Sequence, residues 1–184
     1  MKSRHSMFLR GITVLEVLIA LTVIAIVILV SVPGSTMLLE RHRLKSASGN
    51  LSKGLSTALI EAGRRSSIVR VCPSSNGRFC RRDGDWSKGW LVFSDGNGDG
   101  IVQDIELLET FQPPNENIRI TAKGAVQSMA SFHTNGLVGD EASATGQFDI
   151  CHLGSKAPTR TILIDEEGWV NLRTDDSSAG CGSS

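Results

Sequence analysis

From Val14 to Val32 the chain reads VLEVLIALTVIAIVILVSV, nineteen residues with a single charge, Glu16, and two weakly polar side chains, Thr22 and Ser31. As a helix this run would be about 28 Å long, close to the thickness of a bilayer core. Two kinds of segment look like this: a cleaved secretory signal and a transmembrane anchor. A secretory signal has a shorter apolar run and leaves through an A-x-A-like site. Here the run leaves through Ser31-Val32-Pro33-Gly34 into a polar helical pattern, so an anchor over about 14–32 is expected. Lys2, Arg4 and Arg10 precede it and, by the positive-inside tendency, stay cytoplasmic. The rest of the chain is then expected outside the cytoplasmic membrane.

Charge and cysteines agree with that placement. The whole chain balances 19 basic against 19 acidic residues, but the first eleven residues hold three of the bases and no acid. The remainder is mildly acidic, which argues against bulk nucleic-acid binding. The four cysteines, Cys72, Cys80, Cys151 and Cys181, all follow the apolar run. An even number in an extracytoplasmic domain favours disulfides. Of the three possible pairings, one would close a short loop with Cys72–Cys80 and pin the C-terminal end with Cys151–Cys181. The rival is a metal site, but no CxxC spacing occurs and only His152 adjoins a cysteine.

Past the anchor, helical periodicity continues. Met37, Leu38, Leu44, Ala47, Leu51, Leu55, Ala58, Leu59 and Ala62 recur at three- and four-residue steps. Gly63 followed by Arg64-Arg65 reads as a helix end. The Pro33-Gly34 pair should kink or loosen the element. From Ser66 on, short β-rich runs alternate with Gly, Asn, Asp and Pro. Strands are expected at 68–72, 90–94, 107–111, 118–121, 128–133, 147–151, 160–164 and 169–173. Turn-like connections between them imply antiparallel pairing. The expected class is α+β: a long N-terminal helix, half transmembrane and half amphipathic, packed on an antiparallel β-rich domain. The expected parts are a leader over 1–11, the helix over 12–65, and the β-rich domain over 66–184.

The junction Arg10-Gly11-Ile12-Thr13-Val14-Leu15-Glu16, a basic leader, a Gly and a Glu five residues later at the start of an apolar run, resembles the type IV prepilin signal. Gly11, Thr13 and Glu16 match that pattern, and Ile12 and Val14 depart from it conservatively. The resemblance implies cleavage after Gly11 by a prepilin peptidase and N-methylation of Ile12. It also implies assembly into a filament through Thr13 and Glu16, the carboxylate pairing with a neighbouring subunit's N-terminal amine. Pro33 lies where such helices commonly carry a loosening proline. An intramembrane Glu is a functional residue by default because an ionised carboxylate in a bilayer costs at least a few kcal/mol; the plainer alternative is a side chain that snorkels to the interface.

The segment Trp86-Ser87-Lys88-Gly89-Trp90-Leu91-Val92-Phe93-Ser94-Asp95-Gly96-Asn97-Gly98-Asp99-Gly100 resembles the W-x-x-G-W-x-V-F-x-D-x-N-x-D-G signature of the GspH/FimT family of pilin-like proteins. That resemblance implies a minor pilin that helps start type IV pilus assembly at the filament tip and supports twitching motility, adhesion or DNA uptake. The alternative is the GspH-type pseudopilin of type II secretion. Partners would be other minor pilins or pseudopilins, and the location the bacterial inner membrane with a periplasmic domain, then the pilus or pseudopilus tip. Asp95, Asn97, Asp99, Ile101 and Glu106 also fit the spacing of a calcium-binding EF-hand loop. Here a strand rather than a helix precedes the loop, and Asn-Gly and Asp-Gly are ordinary hairpin turns. Calcium is therefore an alternative to a cofactor-free turn.

Some FimT proteins bind DNA through a C-terminal G-R-x-R segment. At the matching Gly168-Trp169-Val170-Asn171 both arginines are absent, and Glu166 and Glu167 add negative charge. A separate basic group, Arg64, Arg65, Arg70, Arg78, Arg81 and Arg82, could contact phosphates but is equally a solvated face. His133 and His152 are isolated, and no nucleophile motif, nucleotide loop or HExxH occurs. The expectation is a non-enzymatic protein whose Trp86, Trp90 and Trp169 are core or interface aromatics.

Overall fold

A computed structural model describes residues 12–135, 145–154, 157–175 and 181, with the side chains at 28–36 and 175 excluded. One helix, α1, covers Val14–Arg65. The chain divides by contact into two units, Met1–Leu38 and Leu39–Ser184, with the boundary inside that helix. The described residues of the first unit lie mostly in the N-terminal part of α1. From Val14 to Val27 its large aliphatic side chains are exposed on every face. A helix that is apolar all round needs a non-aqueous or protein surround. Its Thr22 hydroxyl donates to the Ile19 carbonyl at 2.8 Å, so this polar group is satisfied within the helix. Among the described residues no helix is long and apolar enough to cross a membrane. The expected span over 14–32 passes at residue 28 into side chains outside the description, as does the kink expected at Pro33.

The second unit contains the C-terminal part of α1 and eight strands: β1 (Ile68–Pro73), β2 (Trp90–Asp95), β3 (Leu107–Phe111), β4 (Ile118–Gly124), β5 (Ala130–Phe132), β6 (Gly146–His152), β7 (Thr159–Ile164) and β8 (Val170–Asp175). All eight expected strands are present. They form two sheets rather than one, ordered β3-β2-β1-β5 and β4-β6-β7-β8, with every pairing antiparallel. The periodic face of α1 supplies Leu44, Ala47, Leu51, Leu55, Ala58 and Ala62 to the main apolar core. The first sheet adds Val69, Val71, Val92 and Phe132, and the second adds Ile120, Phe148, Ile150 and Ile162. Strand alternation aims these residues inward, as in β4, where Ile118, Ile120 and Ala122 are buried and the intervening residues are exposed.

The helix runs through Gly63 and ends at Arg65, the bound expected. Ser66 takes a left-handed conformation (φ 51°), and the Ser67 N–H donates back to the Ala62 carbonyl at 3.4 Å. This is the Schellman pattern, in which the residue just past the helix satisfies otherwise orphaned carbonyls. Glu61 is clamped there by Arg64 (2.9 and 2.7 Å) and Arg65 (2.6 Å). Those two arginines therefore act as ion-pair partners one helical turn from the carboxylate.

Of the three pairings left open, the structure has Cys72–Cys80 and Cys151–Cys181. Cys72 lies with Leu91 and Phe93 in a second apolar cluster on the outer face of the first sheet. The 72–80 loop and the hairpin after β2 cover that face through Cys80, Val102 and Leu107.

Candidate functional site

At the N-terminal end of α1, Thr13 immediately precedes the first helical residue, and its Oγ1 accepts the Glu16 N–H at 3.3 Å. This is the backbone half of a capping box, in which Thr at N-cap and Glu three residues on satisfy the first helical turn. The same two residues match the processing-and-assembly pattern, so Thr13 also sets where the helix starts. Its T-x-x-E spacing is a capping signal in its own right, which the resemblance alone does not bring out. Glu16, in the first turn, sits where the positive end of the helix dipole favours a carboxylate. Ile12 is exposed beside it. Gly11 lies outside the described residues.

The tryptophan-rich signature is a structural joint. Trp86–Lys88 is a single 3₁₀ turn capped by Asp85, whose Oδ1 accepts the Ser87 N–H at 3.0 Å. Buried Trp86 donates from Nε1 to the Gln127 carbonyl (3.0 Å) and meets Phe148 of β6 edge-on, centroids 4.8 Å apart. Ser87 Oγ accepts the Ile120 N–H on the edge of β4 at 3.0 Å. Trp90 opens β2 and stacks on Phe111 of β3 at 5.4 Å. The joint thus ties the second sheet to the first. Gly89 between the tryptophans has φ 101°, and a Cβ there would lie 2.7 Å from the Phe111 carbonyl oxygen and 3.0 Å from that of Ser74. No residue with a side chain fits that position without movement. Trp86 and Trp90 are core, whereas Trp169 on the β7–β8 turn is exposed.

The loop after β2 holds the candidate cation residues. Asp95 is fully buried, and its Oδ2 accepts both the Arg70 Nε–H (2.5 Å) and the Gly100 N–H (3.1 Å). Arg70 also donates to Ser131 Oγ at 2.8 Å, directly across the β1–β5 pair. The Asn97 and Asp99 side chains accept backbone N–H groups two residues on, from Asp99 (3.1 Å) and Ile101 (2.7 Å). Glu106 is joined to the start of the loop by its carbonyl, which accepts the Ser94 N–H at 2.9 Å. Arg70 is the residue that motif reading missed at this place. Its signal was a lone arginine between Val69 and Val71 in an otherwise apolar strand.

Four of the six arginines considered for phosphate contact form ion pairs with three carboxylates. Arg64 and Arg65 pair with Glu61, Arg70 with Asp95, and Arg81 with Asp83. Three of these pairs are between residues two to four apart, and Arg70–Asp95 joins two strands. His152 is buried, with Nδ1 3.0 Å from the Leu153 carbonyl.

The comparisons with known proteins place this geometry. The family model described as "Type II transport protein GspH" matches residues 47–168, about two thirds of the chain. Among solved structures, the chain is similar to the type IV minor pilin FimU of Pseudomonas aeruginosa PAO1, at 21% identity, TM-score 0.56, and coverage of 74% of this chain and 92% of that one. It is also similar to the minor pseudopilin EpsH from the type 2 secretion system of Vibrio cholerae, at 12% identity, TM-score 0.52, and coverage of 72% and 97%. No curated protein sequence matches. At these identities the structural likenesses establish the pilin-like fold. With two thirds of its length matched by a model of a transport-apparatus component and not of an enzyme, the chain belongs to the GspH family of type IV pilin-like proteins.

Proposed function

We propose that this chain is a minor pilin that helps start type IV pilus assembly at the filament tip, in support of twitching motility or adhesion. The observation that carries the reading is the capped start of α1. Thr13 and Glu16 fix the first turn of a helix whose aliphatic side chains are exposed on every face as far as Val27. Such a helix suits storage in a bilayer and later burial among the helices of a filament. In this reading the prepilin peptidase cuts after Gly11, Ile12 becomes the methylated N-terminus, and residues 14–32 hold the subunit in the inner membrane with its body in the periplasm. Glu16 pairs with the amine of a neighbour, which offsets two desolvation costs together. Two disulfides suit an oxidising periplasm.

A second reading, a pseudopilin of type II secretion, is supported by the likeness to EpsH and by the family description. One experiment separates them. The gene is deleted in its host and complemented with wild type or Glu16→Ala, and surface pili and secreted proteins are both measured. Loss of pili with normal secretion, unrestored by Glu16→Ala, is expected. Loss of secretion with normal pili would move the chain to the secretion machine, and full restoration by Glu16→Ala would refute the assembly role of Glu16.

A further inference from the structure

Among the described residues, two buried carboxylate oxygens have no hydrogen-bond partner, Asp95 Oδ1 and Glu106 Oε2. They belong to the first and last residues of one twelve-residue segment. A buried acceptor left unpaired is costly, and more so when charged. The Asp95 side chain is wholly enclosed, and the N–H of Gly100 in the loop reaches its other oxygen, so the carboxylate faces the loop it closes. The Ser94–Glu106 backbone bond brings the two ends of the segment side by side.

We propose that this loop binds calcium, with oxygen ligands from Asp95 Oδ1, the Asn97 and Asp99 side chains, the Ile101 carbonyl and Glu106. The donors are all oxygen, as a hard cation requires, and their order is that of an EF-type loop. The sixth position is Gly100, at φ 69°, where the chain makes its sharp turn. Asp95, Asp99 and Glu106 carry three negative charges and Arg70 returns one positive, so a divalent ion balances the set. Among the described residues no three Asp, Glu, His or Cys side chains are already drawn together around one point. The loop therefore closes on the ion when it arrives, and Arg70 competes for Asp95. Both features place the affinity at the weak, extracellular end, with Kd about 10⁻⁴–10⁻³ M. The proposal is independent of whether the chain serves a pilus or a secretion system.

The test uses the full chain in detergent micelles, stripped with a chelator and titrated with calcium chloride by calorimetry and by thermal melting. Binding with Kd about 10⁻⁴–10⁻³ M is expected, with a Tm rise of about 3–5 °C at ten times Kd. Asp99→Asn alters an exposed loop residue. Measured against its own calcium-free Tm, it should bind calcium at least about tenfold more weakly, because ligand charge sets affinity in such loops. No heat and no Tm change at about 10 mM calcium would overturn the proposal. So would an equal response in Asp99→Asn, or an equal response to magnesium at matched ionic strength.

Discussion

Replacing Arg70 by methionine removes the cation from a fully buried aspartate while keeping most of the side chain's volume. In the wild type, Asp95 Oδ2 is held by Arg70 and Gly100, and Oδ1 has no partner. Without Arg70 the carboxylate keeps one backbone donor, and Ser131 loses its donor too. Breaking a buried pair from one side costs about 3–5 kcal/mol. The surviving Gly100 bond places this site near 3 kcal/mol, or a fall in Tm of about 6–12 °C for a unit of this size. The double variant Arg70→Met/Asp95→Asn removes the stranded charge and should recover at least half of the loss. Thermal denaturation of wild type, both single variants and the double variant gives the coupling directly. Single and double variants of equal stability would refute the reasoning, since the cost would then come from packing and not from an unpaired charge. Calcium should raise the Tm of Arg70→Met more than that of wild type, because the competing guanidinium is gone.

Other expected outcomes follow from specific contacts. Glu61, held by hydrogen bonds from Arg64 and then Arg65, has its pKa lowered from 4.5 to about 2. A lowered carboxylate pKa contributes stability that is complete above pH 4.5 and lost as pH falls toward 2, so Glu61→Gln should flatten that part of an acid-denaturation curve. Asp149 adds to the same trend: burial opposes its ionisation, but donors from Lys123, Gln147 and Thr161 outweigh this and hold its pKa below 3.8. Removing the Cys72–Cys80 bridge, eight residues apart, should cost about 2.5 kcal/mol, and removing Cys151–Cys181, thirty apart, about 3.6 kcal/mol, from loop entropy in the unfolded chain. Equal Tm losses in denaturation of the two double-serine variants would contradict that account. Gly89→Ala, with its Cβ forced against two carbonyl oxygens, should lose at least about 3 kcal/mol by chemical denaturation.

Much of the body was legible because it follows local patterns. Alternating apolar residues and turn-forming residues located all eight strands, and three- and four-residue spacing located the buried face of α1. The division into two sheets was not legible, because nothing local to β4 says that it pairs with β6 and not with β3. That choice depends on which apolar faces meet across the core. The helix end expected at residue 65 matches α1, which stops at Arg65, but the device that stops it was not legible. The actual stop at Ser66 depends on one left-handed residue and a backbone bond to Ala62.

For function the division falls in a similar place. The sequence alone determined the apolar run, the Gly11–Glu16 pattern, the cysteine count and the W-x-x-G-W signature, because each is a matter of residue type at fixed spacing along the chain. The tertiary structure decided what those residues touch. It made Thr13 a helix cap, turned the signature into a joint between sheets, and gave four of the arginines carboxylate partners. It also put Arg70 of one strand against Asp95 at the end of another and left two carboxylate oxygens buried without partners. Contacts between residues 25 or more apart depend on register and packing, and no local pattern carries them.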